Sequence, residues 1–269
     1  MKLSKRIITM SLLLFVIPAC ATVPFSGRSQ LDLIPQQTML ATSFSQYDEF
    51  LKQNKISSDK QKTEQVRNVG RRIQAAVEDY FREKNMTSVI SGYSWEFNLV
   101  ENDEINAWCM PGGKVVVYSG ILPITKNDGG LAVVMGHEIA HAVAKHGNER
   151  MSQALMAQLG GVALNVAMQD KPAETRMLWT AAYGAGTQVG VLLPFSRLHE
   201  SEADQLGLIF MAMAGYDPET AVDFWSRMAS KQGGKTMPEF LSTHPSDDTR
   251  ISKIKAMLPE AKKYYKKRN

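Results

Sequence analysis

The chain has 269 residues, of which 44% are hydrophobic and 22% charged, and its formal net charge is +4. This length suffices for one sizeable domain, and the composition is ordinary for a globular protein, so composition alone indicates no function. Nucleic-acid binding calls for basic residues spread over a folded face. Here three basic residues lie within the first six, removal of that segment would leave 4 − 3 = +1, and the one basic run occupies residues 262–268. We therefore expect no nucleic-acid partner.

The first nineteen residues predict a targeting segment. Residues 1–6 are basic, and Ile7–Ile17 is an apolar run of eleven residues interrupted only by Thr9 and Ser11. A short basic start followed by such a run is typical of a secretory signal peptide. The run is shorter than the roughly 20 residues that a helix needs to span a bilayer. We expect residues 1–19 to be a signal peptide.

The residues that end this segment, IPAC at positions 17–20, resemble the bacterial lipobox. The resemblance implies that Cys20 is lipidated, that residues 20–38 form a lipid-anchored tether, and that acyl chains hold the protein on a membrane. Ala21 after the cysteine favours the outer membrane. The expected localisation is therefore the periplasmic side of a bacterial membrane, with the outer membrane preferred. The alternative is a plain cleaved signal peptide with an incidental cysteine.

The second cysteine, Cys109, has no partner if Cys20 is acylated, and we expect it to be a buried thiol. The sequence contains no CxxC pair. A cysteine-based zinc site is therefore excluded.

The first half of the remaining chain predicts helices followed by a small sheet. Residues 40–81 have a helical pattern, in which apolar residues recur at spacings of three and four. Three segments have the pattern of strands, and the last two flank a Pro-Gly-Gly turn typical of a hairpin. These segments are Gly92–Val100, Ile105–Met110 and Lys114–Tyr118.

The second half predicts mainly helices. A long helix follows Asp128, which is a suitable N-cap residue, and ends near His146. Residues 151–169 are apolar and Met-rich, and we interpret them as a core or cleft-lining helix rather than a membrane span. Residues 181–195 are rich in Gly and Ala and predict a loop. Further helices are predicted over Ser196–Ala214, over Pro218–Ser230 and at the end of the chain.

The pentapeptide HEIAH at residues 137–141 carries the strongest chemical signal. Residues four apart on a helix differ by about 40° in direction, so His137 and His141 share one face and can bind one Zn²⁺. Glu138 lies beside them, where it can act as general base on a water molecule. The alternative is a pair of ordinary helix histidines.

A catalytic zinc needs a third protein ligand and an open fourth position. His146 is poorly placed, because it lies about 140° around the helix from His141. Glu200 and Asp204 share a helix face further along, where Asp204 can accept the second N–H of a zinc-bound histidine. Spacing alone leaves Glu200 and Glu202 both open as the third ligand, and the alternative is a solvated acidic helix face.

Together, several motifs resemble metallopeptidase family 48 over Asn106–Arg250: NAWCMPGGK at 106–114, HEIAH, PFSRLHESEAD at 194–204 and THP at 243–245. The resemblance implies an α+β fold, a mainly helical zincin-type metallopeptidase domain over residues 39–269 with a small β-sheet beside the HExxH helix. In that family the first Glu of the ExxAD motif is the third zinc ligand, which selects Glu200 over Glu202. The Asp of the motif orients a ligand, which assigns that role to Asp204.

Two further sites are predicted. Asn106, Ala107 and Trp108 begin a strand that is expected to bind extended substrate through main-chain hydrogen bonds, the alternative being an interior strand. His244 is expected either to stabilise the oxyanion or to fill the open zinc position and hold the enzyme latent. The alternative for His244 is a structural loop histidine.

The resemblance is greatest to small periplasmic lipoprotein members of the family. It implies a zinc metalloendopeptidase with one Zn²⁺ per chain, acting in quality control on unfolded or misassembled cell-envelope proteins. Outer-membrane assembly machinery and other envelope proteases are further expected partners. The alternatives are a zinc-dependent chaperone or assembly factor with latent or weak proteolysis, and a structural lipoprotein with a fortuitous HEIAH.

Overall fold

The computed structural model of the chain describes residues 20–169, 173–188, 193–231, 238–245 and 248–266. The predicted signal peptide lies outside these residues. The chain divides into two compact units. One comprises the described residues up to Thr38 together with those of Lys145–Leu198. The other comprises Met39–Ala144 and the described residues from His199 onwards.

A three-stranded sheet lies at the centre of the second unit. Its strands are β3 (Glu96–Val100), β4 (Ala107–Met110) and β5 (Lys114–Tyr118), in the order β3-β5-β4. Strand β5 is parallel to β3 and antiparallel to β4, so β4 is an edge strand. Gly112 and Gly113 in the turn between β4 and β5 have φ values of +90° and +82°. Glycine adopts this region without steric cost, which explains why the Pro-Gly-Gly sequence turns the chain here.

Helices make up the rest of this unit. They are α1 (Gln36–Gln53), α2 (Lys60–Glu83), α3 (Leu122–Thr125), α4 (Asp128–Val143), α7 (Leu193–Met213), α8 (Thr220–Ala229), α9 (Glu239–Thr243) and α10 (Asp248–Lys262). The first residues of α1 and of α7 belong to the other unit. The prediction of an α+β zincin-type domain, mainly helical with a small sheet beside the HExxH helix, is confirmed.

The core explains why α4 is so apolar. Nearly every residue of α4 from Gly130 to Val143 is buried, because α2, β4 and α8 all pack against it. A helix that is covered on several sides needs apolar residues all round. Each large apolar side chain buried here contributes about 1.5–3 kcal/mol. The helix is capped by Asn127, whose side chain accepts a hydrogen bond from the Gly130 amide, one residue earlier than the predicted cap.

The first unit contains a two-stranded ribbon and two helices. Strands β1 (Cys20–Thr22) and β2 (Ser29–Leu31) are antiparallel, and the helices are α5 (His146–Ala167) and α6 (Ala173–Thr187). The ribbon packs on the first turns of α5. Arg28 donates two hydrogen bonds, of 2.8 and 2.7 Å, to the buried Glu149 carboxylate, so this part of the predicted tether is held on the unit.

Two sequence predictions fail in this unit. Residues 151–167 are helical as predicted, but they are not core, because the side chains of α5 beyond Gln153 are partly or fully exposed. The predicted loop at 181–195 is instead helical to Thr187 and again from Leu193. An apolar composition does not by itself specify whether a segment is buried by other elements, and a high Gly and Ala content does not by itself specify a loop. No helix in the described part of the chain is both long and apolar enough to cross a membrane.

Candidate metal centre

Four side chains from three parts of the second unit converge on one point. His137 and His141 lie one turn apart on α4, Glu200 comes from α7, and His244 follows α9. One nitrogen or oxygen atom from each of the four lies within 4.8 Å of the others. The structure therefore brings together the three predicted ligands and His244.

The distances between these atoms match the edges of a metal coordination tetrahedron. Nε2 of His137 lies 3.1 Å from Nε2 of His141 and 3.2 Å from Nδ1 of His244. Glu200 oxygens lie 2.9, 3.2 and 3.4 Å from nitrogens of His244, His141 and His137. Ligands about 2.0–2.1 Å from a tetrahedral ion are separated by roughly 3.3 Å. A set of imidazole and carboxylate donors with this spacing fits Zn²⁺ in size and chemistry, and we describe the four residues as a metal-binding cluster.

The opposite side of the His137 ring is held by a carboxylate. Nδ1 of His137 lies 3.0 Å from Oδ1 of Asp204, one turn beyond Glu200 on α7. A carboxylate in this position orients a histidine ligand and raises its basicity. Although burial by itself lowers the pKa of His137, the contacts with Asp204 and Glu200 raise it to about 9.

Arg250 on α10 contacts both carboxylates, Asp204 and Glu200. Its Nε and Nη2 donate to Asp204 at 2.9 and 2.7 Å, and its Nη1 lies 3.1 Å from Glu200. The guanidinium also stacks on the Trp225 ring, 3.5 Å from the ring centre. Burial raises the pKa of Asp204, but Arg250 and His137 lower it below its ordinary value. The arginine therefore keeps Asp204 ionised in a buried position.

The directions in which Glu200 and Glu202 point from α7 show which of them reaches the cluster, a choice that sequence spacing alone does not make. Glu200 shares a face of α7 with Asp204 and reaches the cluster, whereas Glu202 points about 200° away and is buried elsewhere. Burial alone raises the pKa of Glu200, but hydrogen bonds with three histidines hold it far below its ordinary value. The arrangement favours Glu200 as the carboxylate ligand.

Glu138 lies beside the cluster and is almost completely buried. Burial raises the pKa of its carboxyl group. Oε1 of Glu138 lies 3.4 Å from Nε2 of His244, while Nδ1 of the same ring faces the metal-binding cluster. The His244 ring therefore lies between Glu138, the candidate base, and the other three residues of the metal-binding cluster.

A close crossing of two helices sets the position of these groups. Helices α4 and α7 meet at Gly136 and Gly207, directly beside His137. A Cβ atom at Gly207 would lie 2.9 Å from the His137 backbone nitrogen and 3.0 Å from the carbonyl carbon of Gly136. Such contacts are shorter than packed atoms allow, so only glycine permits the two ligand-bearing helices to approach this closely.

We expect Gly207→Ala to separate α4 from α7. Because overpacking in a core costs about 1–3 kcal/mol, the free energy of unfolding should fall by that amount, and bound metal should fall with it. Denaturant unfolding and metal analysis of the purified chain measure both quantities.

Gly184→Ala is the matched control for this change. Gly184 is also helical, but a Cβ atom there meets nothing within 4 Å. Alanine should therefore raise stability by up to about 1 kcal/mol and leave bound metal unchanged. Equal stability losses in the two variants would contradict the close-crossing explanation.

The predicted substrate strand lies beside the active-site helix. Strand β4 packs on α4, and its pairing with β5 leaves its other edge unpaired by any strand that the structure describes. Ala107 and Cys109 point to the α4 side, whereas the Trp108 ring packs on Phe50 of α1. Asn106 lies just before β4, and its carbonyl accepts a hydrogen bond from the Tyr118 amide. Within the described residues Cys109 is free of any disulfide, and burial raises the pKa of its thiol.

The fold and the site together define a class of protein. A metal-binding pair of histidines and an adjacent glutamate on one helix, with a carboxylate ligand from a second helix and a small sheet alongside, is the arrangement of a zincin-type metallopeptidase. Residues 68–258 match the family model described as Peptidase family M48. The chain belongs to this family, as the sequence motifs predict.

Relatives include both mitochondrial and bacterial proteins. The chain is 39% identical over 178 residues to the mitochondrial metalloendopeptidase OMA1 of Schizosaccharomyces pombe, covering 65% of this chain and 50% of that protein. It is 30% identical over 245 residues to the mitochondrial metalloendopeptidase OMA1 of Homo sapiens, covering 89% and 46%. It is 33% identical over 162 residues to the beta-barrel assembly-enhancing protease of Yersinia pestis, covering 59% and 33%. The chain spans about half or less of the length of these relatives.

These comparisons contradict the localisation predicted from the N-terminal sequence. The Schizosaccharomyces pombe and human relatives are named as mitochondrial, so the predicted localisation on the periplasmic side of a bacterial membrane is wrong. A basic start and an apolar run show only that the N-terminus is apolar. The four residues IPAC at positions 17–20 are too few to identify the compartment. Lipidation of Cys20 is untested and stays a prediction.

Proposed function

We propose that this protein is a zinc-dependent metalloendopeptidase. One observation carries the proposal: three predicted ligands and His244 present donor atoms at tetrahedral spacing directly beside the buried Glu138 carboxylate. Family membership supports the same assignment. The proposal includes the identity of the metal as zinc, the class of substrate and a role in protein quality control.

His137, His141 and Glu200 would hold the zinc ion, which when bound polarises the scissile carbonyl and offsets the developing negative charge. Glu138 accepts a proton from the attacking water and passes it to the leaving amine. Asp204 fixes the orientation of His137 by its 3.0 Å contact, and Arg250 holds Asp204 in place. The buried surroundings exclude competing water from these carboxylates.

The edge strand β4 supports a broad choice of substrate. An extended peptide paired with the outer edge of the strand that begins at Asn106–Trp108, the edge that does not face β5, would be recognised through backbone groups, which all peptides share. Unfolded chains present many segments that can adopt this extended form. We infer that the substrates are unfolded or misassembled proteins, which agrees with the name of the Yersinia pestis relative as an assembly-enhancing protease.

The test is cleavage of an unfolded substrate with and without metal. The purified chain should contain one zinc ion and cleave casein, lose cleavage on chelation, and regain it when zinc is returned. A folded chain that contains no zinc would contradict the proposal. A zinc-loaded chain that cleaves nothing would favour the alternative, a zinc-dependent chaperone with latent proteolysis.

A latent state has its own support in the position of His244. Its Nδ1 takes the fourth position of the cluster, and its Nε2 lies 3.4 Å from Glu138. The ring therefore occupies the place where the reacting water must lie. We propose that His244 blocks the site in this state and that the segment carrying it must move before cleavage.

We expect His244→Ala to raise casein cleavage by the purified chain, because the variant leaves the fourth position open to water. Zinc content should remain at one per chain, since His137, His141 and Glu200 are retained. Thr243→Ala, at the neighbouring exposed position, is the matched control and should leave the rate unchanged. A fall in cleavage by His244→Ala at full zinc content would instead indicate that His244 assists the reaction, as in oxyanion stabilisation.

A further inference from the structure

The helical hairpin α5–α6, which the proposed function does not use, carries an apolar surface. Residues Met151–Met168 of the chain contain no charged side chain. Within α5 five of the six large exposed apolar residues, all except Met156, recur at spacings of four, four, three and four, so these five lie within about 80° of one another around the helix. These residues, here called the apolar stripe, are Met151, Leu155, Leu159, Val162 and Val166.

The stripe faces away from the partner helix of the hairpin. Helix α6 packs against the opposite side of α5, where the Tyr183 hydroxyl donates a 2.8 Å hydrogen bond to the Ala157 carbonyl. A Cβ atom at Gly160 would lie 2.2 Å from that hydroxyl, so the two helices are in close contact there. Ala157 and Gly160 lie about 140–160° around α5 from the middle of the stripe. Stripe side chains remain 42–60% exposed.

The chemistry of the stripe favours a lipid bilayer over a second protein chain. A helix that pairs with another helix in water normally has charged residues beside its apolar seam. The residues beside this stripe, such as Ala154, Gln158 and Asn165, are uncharged. Trp179 on α6 is also 55% exposed, and tryptophan is enriched at membrane–water interfaces. Close helix contact through small residues such as Gly160 persists in lipid.

The N-terminal arm connects this unit to the other long apolar segment of the sequence. Strand β2 and Arg28 are fixed to the first turns of α5 through the buried Glu149. The chain that precedes β1 contains the apolar run Ile7–Ile17, which lies outside the described residues. Before the predicted signal peptide is removed, the unit that contains α5 therefore carries both apolar segments, and a bilayer can accept both without a shape-complementary partner.

We propose that the apolar stripe of α5 inserts into the surface of a lipid bilayer and holds this unit on the membrane. The contact is interfacial, because the helix lies along the surface with its stripe among the acyl chains, and it needs no membrane-spanning helix. The stripe contains none of the metal-binding residues, so the proposal stands or falls separately from the proposed function.

The experiment places a fluorophore on the stripe of the full-length chain. A Cys20→Ser, Cys109→Ser background receives Val162→Cys, labelled with a nitrobenzoxadiazole dye, and vesicles of phosphatidylcholine and phosphatidylglycerol are added. The dye should gain fluorescence severalfold and be quenched by phosphatidylcholine carrying a nitroxide in its acyl chain. Ile56→Cys, also an exposed β-branched residue but in the other unit, is the matched control and should not respond.

Three results would overturn the proposal. The first is a dye at Val162→Cys that behaves as in water with vesicles present. The second is a fluorescence gain that follows protein concentration without vesicles and is not quenched by nitroxide lipid, which would assign the stripe to a second copy of the chain. The third is nitroxide quenching of the Val162→Cys dye that stays the same when Leu155→Gln and Leu159→Gln are added to that variant. Circular dichroism and zinc content of the added variant show whether it has folded.

Discussion

Replacing Glu138 by glutamine is expected to abolish cleavage while leaving zinc bound. The amide has nearly the same size as the carboxylate but cannot accept the proton of the attacking water. General base catalysis contributes about 10²–10⁴-fold to such reactions, so the rate of casein cleavage should fall by at least about a hundredfold. Zinc content should remain at one per chain, because the oxygen atoms of Glu138 are not among the four clustered donor atoms.

The measurement pairs a cleavage assay with metal analysis on the same preparation. Glu104→Gln is a suitable control, since Glu104 is an exposed glutamate on the surface of the same unit. It should retain both zinc and activity. Full cleavage by Glu138→Gln would remove Glu138 from the mechanism, whereas loss of zinc would show that Glu138 supports the metal site rather than the proton transfer.

Replacing Glu200 by glutamine is expected to weaken zinc binding severely. The variant removes the only anionic donor of the cluster, and its oxygens are 2.9–3.4 Å from all three histidine rings. Loss of a residue that merely orients a ligand already costs about 10–100-fold in metal affinity. We expect the loss for Glu200→Gln to exceed about a hundredfold in a zinc-chelator competition titration.

The neighbouring Glu202 provides the control that the sequence itself suggests. Glu202→Gln makes the same chemical change only two positions away, at a glutamate that is also largely shielded from solvent but lies on another side of α7. Zinc affinity should stay within about a few fold of the unchanged chain, even if stability falls. If the two variants exchanged these outcomes, Glu202 would be the ligand and the helical register of the site would be wrong.

The fold and most of the site were predictable because they depend on local periodicity. His137 and His141 share a face by the geometry of any helix, and the Pro-Gly-Gly turn places β4 next to β5. The choice between Glu200 and Glu202 needed either the resemblance to a family or the packed structure. Spacing within one helix fixes relative directions but does not say which face meets α4.

Other features depend on contacts between distant parts of the chain, which no local pattern reports. Nothing around His244 specifies that its ring reaches both Glu138 and Glu200. Arg250 reaches Asp204, Glu200 and the Trp225 ring only because α10 packs near α7 and α8. The interpretation of residues 151–169 as a core or cleft-lining helix has a related limit: the sequence shows that they are apolar but not what lies against them.

The separation of the clustered residues along the chain also determines when the metal-binding cluster can first be complete. His137 and His244 are 107 positions apart, and Arg250, which holds Asp204, comes later still. At about 5–20 residues per second, a ribosome needs roughly 5–20 s to advance from the first of these histidines to the last. Glu200 is made part of the way through that interval, whereas His244 and Arg250 are absent throughout it. The metal-binding cluster, with its blocking histidine and its supporting arginine, is therefore complete only after synthesis has passed residue 250.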